Sequence, residues 1–450
     1  MSESLAGPES RPAGISKKPP LSRRRWIFRG IILLAAWCLI ELASWLILAG
    51  VSTSGYREVA KRRESFREMH FQLGERQDAG VNTQTIHPFV GWVRNPEVLK
   101  GENYEGTELK TNRLGFLDTS DGVFQRDPKR LIVGITGGSV AYQMSCAGAE
   151  RLKEKLHAIP EYRDREIVIV RMAQSAYKQP QGLFALNYYM LLGGEFDIVI
   201  NLDGLNELTM SLSQNYPLQV ALDYPQGWNM RTGEIVPADE SDIAMELTQI
   251  RGQRRKYALS GVNSYWQWLP SQVLLWHVRD ERLREQLVTL QGRTLKVYKE
   301  WSFVRCGPAP LAQDETAALA ECVRVWKQAS LQMHRICQAS GILYFHAIQP
   351  NQYDPGSKPL TTSEVDLMSP DSVGNQSQPF LTIIPVGYPL LRKAGQELQS
   401  AGVRVTDLTA IFSKVTDPLY VDSCCHVNPT GSEMLAGAIG DFIRESVQAQ

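Results

Sequence analysis

Cysteine is scarce in this sequence: there are seven in 450 residues, with no CxxC pair and no dense ladder. That spacing signals neither a zinc site nor a disulfide scaffold. One or two disulfides stay open for a domain outside the cytoplasm, and no pairing is indicated. Net charge is also lacking, because Lys plus Arg equals Asp plus Glu. The balance is uneven, however: the first 30 residues hold seven Lys and Arg against two Glu, which leaves the remainder five charges negative. A mildly acidic globular part lacks the basic face that nucleic-acid binding requires, so that class is excluded. Internal repeats at solenoid periods are absent. Long hydrophobic runs are absent too, with one exception.

The exception is residues 31–51, IILLAAWCLIELASWLILAGV, apolar apart from Glu41 and Ser44. At 1.5 Å per residue this stretch spans about 30 Å, the thickness of a bilayer's hydrocarbon core. A cleavable signal peptide has a shorter apolar region of about 7 to 15 residues, so an uncleaved anchor is expected. Glu41 is costly in lipid, and its cost is relieved by protonation or by pairing with another helix or a partner. Arg23, Arg24, Arg25 and Arg29 crowd the N-terminal flank. They predict a single-pass membrane protein with a cytoplasmic N-terminus and an extracytoplasmic globular part.

The expected organisation is a basic, disordered tail over 1–25, the anchor over 26–51, a charge-alternating helical stalk over 52–82, and one domain over 83–450. Within that domain, HPFVGWVRNP and TNRLGFLD read as short β segments. Apolar strands follow at LIVGITG (131–137), EIVIVRMA (166–173), FDIVINLDG (196–204), GILYFHAIQP (341–350) and VRVTDLT (403–409). Helical stretches separate them at 147–158, 181–192 and 315–339, and a last helix begins at PTGSEML. Continuous apolar strands alternating with helices predict an α/β fold with a parallel sheet covered on both faces. Residues 209–314 interrupt the rhythm and carry Trp228, Trp266, Trp268, Trp276 and Trp301. The interval is too long for a simple connection and reads as an aromatic insertion forming a cap or side lobe near the site.

Sites in open parallel sheets form beyond the C-terminal strand ends. The first strand is followed by TGGSV with Ser139, the second by AQSAYKQP, the third by DGLNEL with Asn206. Before the last helix comes YVDSCCHVNPTG, with Asp422 and His426. Singly these are ordinary turn and cap residues. Together they supply a nucleophile, an oxyanion donor and an oriented base, the three roles of an acyl-transfer site. His346, at a strand end, reads as structural. Cys424 and Cys425 read as small buried cysteines in preference to a redox pair.

From about residue 83 onward, excluding most of the insertion, the chain resembles the SGNH (GDSL-type) hydrolases, and more closely their membrane-anchored bacterial members. Gly137, Gly138 and Ser139 match the nucleophile block. Ala176 matches the position of the second block's Gly, Asn206 the third block's Asn, and Asp422 with His426 the last block. The resemblance implies a flavodoxin-like three-layer α/β/α sandwich. It also implies a Ser139–His426–Asp422 triad and an oxyanion hole from the N–H groups of Ser139 and Ala176 and the Asn206 side chain. Three positions depart from the family. Gly138 replaces Asp, Ala176 replaces Gly and needs a negative φ to keep its N–H in place, and Asp422 lies four residues before His426 where three are usual. The implied activity is hydrolysis of an ester, on an O-acetylated envelope glycan or a lipid, without metal or organic cofactor. The alternatives are O-acyl transfer to an envelope polysaccharide, served by a membrane-bound acyl-donor partner, and an inactive SGNH-fold scaffold or binding protein.

Overall fold

A computed structural model describes residues 23–51, 55–72, 84–97, 101–104, 107–118, 120–232, 238–260, 265–297, 303–368 and 378–449. Residues 1–22, read as disordered, and the far end of the stalk lie outside the described residues. The chain divides into two compact units, one built from residues up to Arg67 together with Tyr257–Glu281, the other from the rest.

In the first unit, α1 (Arg23–Val51) is a single helix, and its stretch Trp26–Gly50 is long and apolar enough to cross a membrane. Twenty-five residues reach about 37 Å. Most of its surface is exposed, but Ser44 and Leu48 are buried and Glu41 is half-buried. These three recur at i, i+3 and i+7 and so form one stripe. Leu48 packs with Val59 and Ala60 of α2 (Gly55–Gln72), and with Val273 and Trp276. Of the aromatic insertion, the part carrying Trp266, Trp268 and Trp276 groups with the N-terminal helices, and Trp228 belongs to the second unit.

The second unit is α/β. Two small antiparallel sheets lead it, a hairpin of β1 (Gln84–His87) and β2 (Gly91–Arg94), and a three-stranded sheet of β3 (Gly101–Tyr104), β4 (Thr107–Thr111) and β5 (Leu117–Asp118). The central sheet holds β6 (Arg130–Gly137), β7 (Glu166–Arg171), β8 (Ile198–Asp203), β9 (Leu343–Ile348) and β10 (Arg404–Asp407). All four pairings are parallel, in the order β10-β9-β8-β6-β7. Numbered within the sheet this is 2-1-3-4-5. The chain leaves β6 for β7 on one side and then crosses to β8 on the other, so the direction of winding switches at β6.

The strands form where the apolar runs predicted them, and most of their residues are buried. Alternation along β9 shows what covers each face. Phe345 meets Phe442 of α12 (Pro429–Gln448) edge to face at 5.6 Å. Its neighbours Tyr344 and His346 point the other way, toward Ser330 of α9 (Glu315–Ala339). Helices α3 (Ser139–Ala147), α4 (Ala149–His157) and α12 pack together, as do α9 and α11 (Gln378–Ser400). The other helices, in chain order, are α5 (Gln181–Leu191), α6 (Leu205–Met210), α7 (Ala238–Leu259), α8 (Pro270–Val297) and α10 (Thr362–Met368).

The helix expected over 147–158 forms as α4 (Ala149–His157); a further helix, α3, precedes it and begins at Ser139 itself, the two parting at Gly148. Helix α11 starts at Gln378 and continues through Pro385 and Pro389. Proline normally disfavours a helix interior; here Ile384, Tyr388 and Leu391, all fully buried, hold the helix to the core.

Candidate active site

Ser139 opens α3 directly after β6, and two glycines make that turn. Gly137 has φ +136°, and a Cβ there would collide with the carbonyl of Leu202. Gly138 precedes Ser139, and a Cβ there would collide with Nδ2 of Asn206. Glycine at 138 thus has a local cause in the close approach of Asn206. Ser139 itself is half-buried.

Asn206 sits in the first turn of α6, after β8, and is buried. Its Nδ2 donates to the carbonyl of Tyr177 at 2.8 Å, which leaves one amide N–H to face Gly138 and the Ser139 turn. Glu207, absent from the sequence reading, fixes this neighbourhood. Its carboxyl accepts from the backbone N–H of Gln179 at 2.8 Å and of Gly204 at 2.9 Å, tying the loops after β7 and β8 together. Burial and the Asp203 carboxylate push Glu207 up to about 8. Ala176 lies in the loop after β7 with φ +64°, so the negative φ expected for it is not found. The left-handed conformation is the one a glycine adopts freely, and an L-residue there is strained by about 1 kcal/mol. Ala176 keeps the backbone path of a glycine at that cost.

The loop before α12 carries the carboxylate and imidazole. Asp422 Oδ1 accepts from the backbone N–H groups of Cys424 at 2.9 Å, Cys425 at 3.0 Å and His426 at 3.2 Å. Its Oδ2 is in short contact with His426 Nδ1. The extra residue is absorbed by winding the loop around the carboxylate, so Asp422 reaches the imidazole across four residues. Burial alone would raise Asp422, but the bond to His426 and the loop N–H groups hold it below its usual range. Burial would lower His426, and the Asp422 hydrogen bond and charge lift it above its usual value.

The same loop comes near Ser139 at Cys425, whose thiol the Ser139 side chain lowers slightly. The Cys424 sulfur, 3.1 Å away, and burial hold the Cys425 thiol well above its usual range, so it remains protonated and a poor nucleophile. His426 Nε2 is buried and has no hydrogen-bond partner. Asp422 and His426 are thus joined directly, and no Ser139–His426 hydrogen bond is formed among the described residues.

Residues following β9, not singled out from sequence, anchor this loop. Asn351 Nδ2 donates to the carbonyl of Cys424 at 3.0 Å, Gln352 Nε2 to that of Asp422 at 3.0 Å, and Tyr353 O–H to that of Ser423 at 2.7 Å. A polar NQYD run directly after a buried strand was the available signal. Glu364 of α10 accepts from the backbone N–H groups of Leu419 at 2.9 Å and Tyr420 at 3.0 Å, at the start of the loop.

Three side chains of this unit mimic a triad elsewhere. His346 Nε2 lies 2.8 Å from Asp203 and its Nδ1 2.7 Å from Ser330 Oγ, all fully buried. Asp203 also accepts from Trp326 Nε1, Gln179 and Asn201. No open face remains there, and His346 is structural as expected.

Among the described residues no group of His, Cys, Asp and Glu is arranged to hold a metal ion. The fold and the site thus define an α/β protein with a five-stranded parallel sheet, carrying a hydroxyl, an imidazole–carboxylate pair and amide donors at the C-terminal strand ends. The chain matches no family model and no curated protein.

Proposed function

We propose that this chain is a membrane-anchored serine esterase of the SGNH type, with the large unit outside the cytoplasm and the N-terminus inside. The observation that carries the reading is the Asp422–His426 pair, left with an orphaned Nε2. A buried, unpartnered imidazole nitrogen calls for an explanation. A Ser139 hydroxyl that turns to His426 when substrate binds supplies one, and catalytic hydrogen bonds are often loose before substrate binds. The 2-1-3-4-5 strand order further supports the flavodoxin-like arrangement.

In this mechanism Ser139 Oγ attacks an ester carbonyl and His426 Nε2 takes its proton. Asp422 holds Nδ1–H and stabilises the imidazolium. The oxyanion receives the N–H of Ser139 and the spare amide N–H of Asn206, joined by the Ala176 N–H because its left-handed backbone keeps a glycine's path in place of the negative φ first required. His426 then protonates the leaving alcohol, and water repeats the sequence on the acyl-enzyme. The substrate is an ester of a carbohydrate or lipid. A sugar hydroxyl in place of water would make the protein an acyltransferase served by a membrane-bound donor.

A fluorophosphonate probe tests the reading. Labelling of wild type and none of Ser139→Ala is expected, with release of acetate from short acyl esters. Absent labelling of a folded wild-type chain would leave the non-catalytic scaffold. Labelling with acyl transfer and no net release would establish the transferase.

A further inference from the structure

The N-terminal unit contains a site unconnected with this chemistry. Along the covered stripe of α1 runs the segment Trp266–Trp276. Glu41 accepts from the Ser271 N–H at 2.9 Å and its hydroxyl at 2.7 Å, so the one acidic residue of the apolar helix is satisfied by the first turn of α8. Trp37 and Trp266 meet edge to face at 6.0 Å. Leu48 closes the row against Val273 and Trp276. The segment therefore lies beside a helix whose other faces present bare apolar side chains.

Between this segment and α2 is a cavity of about 350 Å³, lined by Arg63, Arg279, Gln272, Tyr257, Trp266 and Trp276 among others. Its polar groups are unbalanced. Arg63 is 3% exposed; its Nη2 donates to the Gln267 carbonyl at 2.6 Å and its guanidinium lies over Trp268. It makes no ion pair among the described residues, and its Nε–H has no acceptor. The nearest acid on its own helix, Glu64, is paired with Arg67. Arg279 lies over the Tyr257 ring and likewise has no carboxylate partner. Trp276, also buried, has an unpartnered Nε1–H. No carboxylate lines the cavity. An unpaired buried guanidinium is costly, and an anion with several acceptor oxygens removes that cost.

We propose that this cavity binds the phosphate of an anionic membrane lipid, with Arg63 and Arg279 on the phosphate and the acyl chains running over Trp266 and Leu275, both exposed. The lipid is preferred to a soluble phosphate because two residues of the cavity wall, Trp266 and Trp276, also pack against Trp37 and Leu48 of α1. The inference rests on the reading of α1 as a membrane helix and is independent of the esterase chemistry.

The test uses the full chain in mixed micelles of neutral detergent with equal phosphatidylglycerol and phosphatidylcholine, read by native mass spectrometry. One retained phosphatidylglycerol per chain is expected. Arg279→Gln, at an exposed position, should lower retention about tenfold, as loss of a charge-assisted hydrogen bond does. Arg63→Gln should do the same, with its thermal melt recorded to confirm folding. Equal retention of the two lipids, or retention unchanged in both folded variants, would overturn the proposal. So would displacement by millimolar inorganic phosphate, which would mark a soluble-anion site. Carbonate extraction of native membranes checks the anchor separately, since release of the chain would refute the membrane reading while the micelle assay still reports on the cavity.

Discussion

The same three residue types occur together twice in the α/β unit, with opposite consequences. Ser330, His346 and Asp203 form a continuous hydrogen-bonded row inside the core, where both imidazole nitrogens are engaged and Asp203 accepts four side-chain bonds. Ser139, His426 and Asp422 gather at the strand ends, where one imidazole nitrogen is unengaged and the serine is half-exposed. The buried set is the better-formed triad by distance alone. It is chemically closed, because every polar atom has a partner and no substrate can reach it. On the proposed reading the incomplete constellation at the strand ends awaits substrate, while the satisfied one in the core ties β8, β9 and α9 together.

The sharpest way to break this contrast is to replace the carboxylate in each set. Asp422→Asn should lower kcat by about 10⁴-fold, because the tautomer and the imidazolium both lose their support, while the thermal midpoint changes little. Asp203→Asn should leave kcat per folded molecule unchanged and destabilise the fold by about 3 kcal/mol, as breaking a buried charged network does. The reverse pattern, measured by steady-state kinetics and chemical denaturation, would exchange the two roles.

The pH dependence sharpens the same point. His426 must be neutral to accept the proton, and Asp422 raises its titration above the usual histidine value. kcat/KM should therefore rise with pH through that raised value. Removing the carboxylate should move the rising limb to lower pH, and a limb that stays in place would detach His426 from the base role.

Asn206→Ala should lower kcat by about 10² to 10³, with a smaller change in KM, as loss of one oxyanion donor typically does. Unchanged kcat would reduce Asn206 to a strut between Tyr177 and Gly138. The smallest effect is expected at Ala176. Its left-handed backbone favours glycine, so Ala176→Gly should stabilise the fold by about 1 kcal/mol with activity retained. Destabilisation on thermal unfolding would mean that the methyl packing outweighs the strain.

Much of the architecture was legible because its signals are local. Runs such as LIVGITG and EIVIVRMA read as buried strands from their own composition, and the span 315–339 was found as a helix with its ends in place. Helix α3 and the run of α11 through two prolines were not foreseen. Gly148 and the two prolines within α11 act through the packing around them, which no local pattern reports. Among the site residues, Ser139, Asn206, Asp422 and His426 stood out by following strands or preceding the last helix. Glu207 and the Asn351–Tyr353 run did not, because they act by bonding to the backbone of distant loops.

By itself, the sequence determined a long apolar helix behind a basic tail, a sheet of five buried strands, and the order in which polar turns follow them. These depend on composition and period, which a short window contains in full. Only the tertiary structure decided that Asp422 curls back across four residues, that Gly138 is small to admit Asn206, and that Glu41 finds its partner in Ser271, 230 positions away. Each of these is a contact between segments whose approach is set by the packing of the whole unit. The energy of such contacts depends on distances that no spacing along the chain encodes.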